Sequence, residues 1–341
     1  MKTLFLLAIG VLTLAASPFG AAAAGPVPNT MRAAAFDKAG GPEVLSIHQL
    51  PVPSPGATEV LIAVHGAGVA VWEADMRQHA SSRAPFPFVL GSDGAGTIIA
   101  MGSDVHGFKV GDAVYGTGIG FYAEYVKVRA DRIAHVPKGL DLTQASILAI
   151  SGLSALQGID DVLQLQAGQT LIIHGAAGGV GTVAIQLAKL RGLKVLATAS
   201  TDEGLALARQ LGADAVVNGR TGDIVAAAKQ FAPLGVDAVL GLAGGDALER
   251  CIDGLRPGQG RVAYMYGLEP IPRPRGNLRM ILYSFVGGTS ELERLNKAVE
   301  TAKLRVPIAA EYSLADAAAA HKRLEAGHLL GKIVLIAGET R

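Results

Sequence analysis

Seven consecutive residues, Gly175-Ala176-Ala177-Gly178-Gly179-Val180-Gly181, carry the clearest chemical signal in the chain. They follow an apolar run, Thr170 to His174, and precede a helical pattern from Thr182 to Arg191. In a strand–turn–helix setting, missing side chains let the backbone approach a pyrophosphate, and the free N–H groups of the helix start point at its oxygens. The spacing is complete as G-x-x-G-x-x-G and lacks its first glycine, at Ala176, as G-x-G-x-x-G. Glycine turns also serve tight packing, so it is the strand–turn–helix context that makes dinucleotide binding the reading.

The choice of dinucleotide turns on the second strand of the unit, Lys194 to Ala199. An acid at its end would grip the ribose diol of NAD. Here Ser200-Thr201 follow, and the first carboxylate, Asp202, is expected to cap the helix Glu203 to Leu211. The gap leaves room for a 2′-phosphate, with Ser200 and Thr201 as hydrogen-bond partners. Arg220, beyond the third strand, either pairs with that phosphate or is a solvated surface charge. NADPH is the expected cofactor, with NADH left open.

Other chemistries find little support. A single cysteine, Cys251, cannot build a disulfide or a multi-thiolate zinc site, and it falls in a helical stretch as a small core residue. Eight histidines are scattered, with no H-E-x-x-H pair on one helical face, so no metal site is expected. His174, at the end of its strand, is either structural or packs near the ribose. No G-x-S-x-G elbow supports serine hydrolysis.

The elements that must position the turn divide in two. From Arg32 to about Ser151, short strands such as Glu59 to His65, Thr97 to Met101 and Ala123 to Val128 alternate with glycine and proline, the rhythm of a β-rich, barrel-like domain. After Ser151, strands alternate with helical stretches, which indicates an α/β, doubly wound parallel sheet. A helix from Leu314 to Glu325 and a strand from Lys332 to Ile336 close the chain. The 341 residues are 50% apolar and 17% charged, and 30 Lys and Arg against 29 Asp and Glu give a net charge of +1. That balance opposes both a nucleic-acid partner and disorder.

Residues 1–24 have the layout of a signal peptide: Lys2, an apolar run from Leu4 to Ala16, then small residues at Ala21 to Ala24. The run is short for a membrane span, so no stable anchor is expected. Export to the periplasm or beyond follows, unless translation starts at Met31 and the protein stays cytoplasmic. Export sits awkwardly with a nucleotide cofactor, which is scarce outside the cytoplasm.

From Met31 to Ala337 the chain resembles the zinc-free quinone oxidoreductase branch (zeta-crystallin-like) of the medium-chain dehydrogenase/reductase superfamily. The residues that carry the resemblance are Gly40 to Leu45, Gly66 to Val69, Val89 to Gly96, Gly107 to Tyr115, Tyr122 to Tyr125, Gly152 to Ala155, His174 to Gly181, Leu211 to Asp214 and Gly331 to Leu335. It implies a GroES-like β-barrel domain over residues 31–151 and 289–341, with a Rossmann domain over residues 152–288 inserted between. It implies NADPH in the cleft, hydride transfer to a quinone or α,β-unsaturated carbonyl, and a homodimer. Zinc-dependent relatives carry Gly-His-Glu where this chain has Gly91-Ser92-Asp93.

The same resemblance assigns site residues. Ser154 stands where the family places a nicotinamide contact; beside it, the backbone around Tyr266 is a candidate for the nicotinamide side and Lys332 a candidate for the cofactor-binding set. Trp72 and Tyr122 are either lining residues of a slot for a flat acceptor or ordinary packing. The chain also departs from the family: Ala70 replaces a usual Asn, and Gly204 and Gly219 replace a lysine and tyrosine that commonly hold the 2′-phosphate. Zinc-free alcohol oxidation and a non-catalytic nucleotide-binding role on the same scaffold remain as alternatives.

Overall fold

The computed structural model describes residues 27–81 and 85–338. The leader expected over residues 1–24 lies outside them. Strands β1 (Thr30–Phe36), β2 (Ser46–Pro51), β3 (Glu59–Val69), β4 (Phe88–Val89), β5 (Asp93–Met101), β6 (Ala113–Thr117), β7 (Tyr125–Arg129) and β8 (Ile133–His135) fill the N-terminal part. The last two strands, β15 (Ile308–Ser313) and β16 (Lys332–Ile336), return to it. β16 pairs antiparallel with β3, and the sheet runs β15-β16-β3-β5-β6-β8, with β7 also on β3. β1 lies in a separate three-stranded sheet, β2-β1-β4, and the two sheets pack on one core around Phe36, Ile62, Ile98, Phe121 and Leu335, so strands from both ends of the described chain build this barrel-like part.

The chain between these parts forms a third, wholly parallel sheet. Its strands are β9 (Thr170–His174), β10 (Lys194–Ala199), β11 (Ala215–Asn218), β12 (Ala238–Gly241), β13 (Arg261–Met265) and β14 (Arg279–Tyr283), in the order β11-β10-β9-β12-β13-β14. The chain builds outward from β9 in one direction, then returns to β12 and builds outward in the other. The crevice at the carboxyl ends of β9 and β12 is thus the switch point at which doubly wound sheets bind ligands. Strand β9 is buried almost throughout because helices cover both faces of the sheet. That is why its sequence is an unbroken apolar run rather than an alternating one.

The helices are α1 (Val71–Gln78), α2 (Leu142–Ala145), α3 (Ala149–Gln157), α4 (Gly179–Leu190), α5 (Asp202–Gln210), α6 (Ile224–Phe231), α7 (Asp246–Asp253), α8 (Thr289–Ala302) and α9 (Ala317–Glu325). Helix α3 is buried at every position and packs on α4 and α8, joining the barrel to the parallel sheet through one continuous core. The helix expected from Leu314 begins at Ala317, after a single tight turn over Leu314–Asp316.

Candidate active site

The glycine turn leaves β9 at Gly175, whose φ of +82° a side chain would strain. A Cβ at Gly181 would stand 2.4 Å from the Gly175 carbonyl oxygen, so only glycine lets α4 start this close to the strand. Gly178 occupies the N-cap and offers no side-chain acceptor, leaving the first N–H groups of α4, from Gly179 through Val180, without a capping side chain. The Gly331 N–H donates to the Ala177 carbonyl at 2.8 Å, which ties the barrel's last loop to the turn. A Cβ at Gly179 would meet Ser151 Oγ at 3.1 Å and the Lys332 Cβ at 3.2 Å. An uncapped helix start beside side-chain-free backbone fits a pyrophosphate.

Further along the same sheet edge, Ser200 Oγ shares a 2.8 Å hydrogen bond with His328 Nδ1. Thr201, not Asp202, is the N-cap of α5: its hydroxyl accepts from the Gly204 N–H, and Asp202 becomes the first helical residue. Arg220 is exposed, and its backbone N–H is held by Asn218. A Cβ at Gly204 would fall 2.9 Å from Ala199 Cβ and 3.1 Å from Ala177 Cβ, so the turn leaves no room for the family's lysine there.

A second guanidinium, which sequence reasoning missed, reaches this edge from α7. Arg250 donates through Nη2 to the Gly219 carbonyl at 2.7 Å, while its Nε is buried without a partner. Its charge also bears on His174. Burial first, and Arg250 second, push that imidazole down to about 4, and its Nδ1 bonds Thr198 Oγ1 at 2.7 Å. His174 is thus a neutral group under the crevice. Arg250 lies in the last turn of α7, the helix that follows β12, far in sequence from Ser200 and Arg220, so no local spacing ties it to them.

A cavity of about 400 Å³ lies next to the start of α3. Trp72 from α1, Leu90, Ile119, Ile150 from α3 and Phe285 make it apolar, while Ser92, Thr117 and Arg132 supply its polar groups. Consecutive residues of α3 connect the two places: Ile150 lines the cavity and Ser151 faces Gly179. Ser154, one turn further on that helix, is fully buried, and its Oγ has no hydrogen-bond partner. An unpaired hydroxyl so placed suits a polar group of a bound cofactor. Tyr266 follows β13 at the same edge of the sheet, its side chain largely exposed.

Trp72 is half-exposed on the cavity wall and donates from Nε1 to Ser92 Oγ at 3.0 Å. Tyr122, considered above as a second wall, is instead sealed inside the barrel. Its hydroxyl donates to Glu73 Oε2 at 2.7 Å and faces His321 Nε2 at 3.2 Å. Arg77 can only donate, so the 2.8 Å contact to His321 Nδ1 leaves the ring proton on Nε2, toward Tyr122. Burial pushes His321 down to about 4, with the Arg77 charge adding to it, and raises both Glu73 and Tyr122. Glu73 also accepts the Ser92 N–H at 2.6 Å, so this buried chain of groups fixes the cavity floor from behind.

Lys332 differs from its expected place in the cofactor set in one respect. Its ammonium is taken by both oxygens of the fully buried Asp93, each at 2.8 Å, and only its stem approaches Gly179. Among the described residues, no group of three or more His, Cys, Asp or Glu is placed to hold a metal. Cys251 is buried, with its thiol pushed up to about 12. No described helix is long and apolar enough to cross a membrane.

A barrel built from both ends of the described chain, a doubly wound sheet and a dinucleotide turn at their junction define an NAD(P)H-dependent oxidoreductase of the medium-chain dehydrogenase/reductase class. Residues 56–138 match the alcohol dehydrogenase GroES-like domain, and residues 211–335 match the zinc-binding dehydrogenase family. The quinone oxidoreductase of Mus musculus is 34% identical over 324 residues, spanning 90% of this chain and 98% of that one. The structure of the quinone oxidoreductase from Coxiella burnetii aligns with a TM-score of 0.81 at 33% identity, covering 91% of this chain and 100% of that one. The Escherichia coli quinone oxidoreductase complexed with NADPH aligns with a TM-score of 0.81 at 26% identity, over 89% and 99%. The chain belongs to the zinc-free, zeta-crystallin-like quinone oxidoreductase branch of that superfamily.

Proposed function

We propose that this chain uses NADPH to reduce a quinone or an α,β-unsaturated carbonyl held in the cavity, without zinc. The observation that carries the reading is the continuity through α3, which sets Ile150 in the cavity wall and Ser151 against the glycine turn. Gly175 to Gly181 would hold the pyrophosphate, Ser154 and the backbone at Tyr266 the nicotinamide end, and Ser200, Arg220 and Arg250 the 2′-phosphate. The bound dinucleotide supplies the hydride. The apolar walls of the cavity orient a flat acceptor and keep water from it.

Negative charge grows on the acceptor oxygen as hydride arrives, so a fixed donor helps. Ser92 supplies one: its Oγ accepts from Trp72, whose Nε1 can only donate, and this leaves the Ser92 proton free for the cavity. Ser92, and Asp93 engaged by Lys332, stand where zinc-dependent relatives carry His and Glu, which supports transfer without a metal. A homodimer is supported by β14, whose outer edge is unpaired among the described residues and carries exposed Leu282.

The test is turnover of a quinone and enone panel by purified protein with NADPH and with NADH, before and after chelation. Turnover with NADPH, unchanged by the chelator, is expected. Nucleotide binding without hydride transfer to any acceptor would overturn the reading in favour of a non-catalytic role. Where the protein works is settled by N-terminal sequencing of the fractionated native protein: a start at Gly25 in the periplasm marks export, and a start at Met31 in the cytoplasm excludes it.

A further inference from the structure

We infer that the mouth of the acceptor cavity is an anion subsite built by Arg132 and Thr117, so that the preferred acceptors are flat apolar molecules bearing a carboxylate. This rests on the reading of the cavity as the acceptor site. Arg132 is the one charged side chain among the lining residues described, and no acid lines the cavity to neutralise it. Its neighbour Arg129 is paired with Asp131, but among the described residues no carboxylate lies within ion-pair distance of Arg132. Arg132 makes a single long contact, from Nη1 to the Gly287 carbonyl at 3.4 Å, which leaves most of its donors unused.

Thr117 converges on the same spot. Its side chain is buried, and its hydroxyl makes no hydrogen bond among the described residues. A Cβ at Gly287 would stand 3.0 Å from Arg132 Nη1 and 3.0 Å from Thr117 Oγ1, so both polar atoms border one small space that glycine keeps open. The rest of the lining is largely apolar, with Leu90, Ile150 and Phe285 and the face of the Trp72 indole. A guanidinium fork beside a hydroxyl matches the two oxygens of a carboxylate, and a phenolic or carbonyl oxygen uses far less of it. The apolar wall and the cationic mouth together therefore favour an acceptor that is amphipathic along its length.

The test compares 3-(1,4-naphthoquinon-2-yl)propanoate with its methyl ester. Trp72 is the only tryptophan in the chain and stands on the cavity wall, so quenching of its fluorescence reports binding with no cofactor present. The acid is expected to bind about fivefold more tightly than the ester at low salt, the advantage of a partly exposed ion pair. That ratio should shrink as salt rises and fall to about one in Arg132→Gln, while Arg132→Lys keeps part of it. Equal affinity of acid and ester, or a ratio that survives Arg132→Gln, overturns the subsite. If the ester binds and is reduced but the acid has no advantage, the subsite fails alone. If neither compound quenches Trp72 or is reduced, the acceptor reading of the cavity fails with it.

Discussion

Gly181 and Glu73 are both shielded from solvent beside the cleft, yet they secure it by opposite means. At the glycine turn the site consists of atoms that are absent: backbone approaches backbone, and uncapped N–H groups wait for an anion. Beneath the cavity the site is held by buried charge, with Glu73, Tyr122, His321 and Arg77 joined in one chain of hydrogen bonds. The first arrangement tolerates changes of pH and salt but no added volume. The second tolerates neither a missing partner nor a misplaced proton.

The most severe test of this contrast is the buried pair that joins the two regions. Lys332→Met would strand Asp93, which is wholly buried, and should cost about 3–5 kcal/mol in urea unfolding. Pairing it with Asp93→Leu should recover most of that loss, because an apolar pair of similar volume replaces both charges. A single variant that unfolds like the parent would show that the junction does not depend on charge.

Acid should act next most strongly. The unfolded chain protonates His321 near its ordinary value of 6.5, whereas the native ring resists until about 4. Between those limits the unfolded state binds more protons, so stability falls as pH drops from 6.5 to 4, by up to about 3 kcal/mol. His174 contributes a loss of the same sign on the nucleotide side. Glu73 opposes both, because its raised native value lets the folded state take up a proton first as pH falls toward 4.5. Melting curves from pH 8 to 4.5 should flatten in His321→Gln and again in His174→Gln. A profile unchanged by either substitution would break the assignment of buried neutral rings.

Gly181→Ala is the matching experiment on the other side. Its Cβ meets backbone rather than a movable side chain, so it should cost about 1–3 kcal/mol and weaken nucleotide binding. That cost should be the same at pH 5 and pH 8. A pH-dependent cost would mean that the turn is coupled to the charged network after all.

The same contrast explains what could be read from the sequence. Backbone sites are written locally: Gly175 to Gly181 lie side by side in the chain, and the parallel sheet follows from strand rhythm, whereas the return of the C-terminal strand to the barrel came only from the family resemblance. The cavity is assembled from Trp72, Ser92, Thr117, Arg132, Ile150 and Phe285, residues far apart in the chain with no shared spacing. Trp72 stood out because it is unique, but nothing local distinguished Arg132 or Arg250 from solvated arginines. Tyr122 and His321 were equally opaque, since the partners that make them structural come from α1 and α9.

Arg220 offers the smallest effect and the finest division between the two modes. The backbone turn serves NADH and NADPH alike, because both carry the same pyrophosphate, so discrimination must come from side chains at the edge of β10 and β11. Arg220 is exposed and has no carboxylate partner among the described residues, and Arg250 lies close by with a buried, unpaired Nε. Arg220→Ala should therefore weaken NADPH by about fivefold and leave NADH nearly unchanged, the scale of one solvent-screened ion pair. Arg250→Ala should also weaken NADPH, and it should in addition raise the His174 titration toward 6.5, because one of the two causes of its depression is removed. Titration calorimetry with both nucleotides, alongside imidazole NMR, separates the two arginines. Equal losses for NADH and NADPH in Arg220→Ala would return that residue to the solvated surface and leave Arg250 as the discriminating charge.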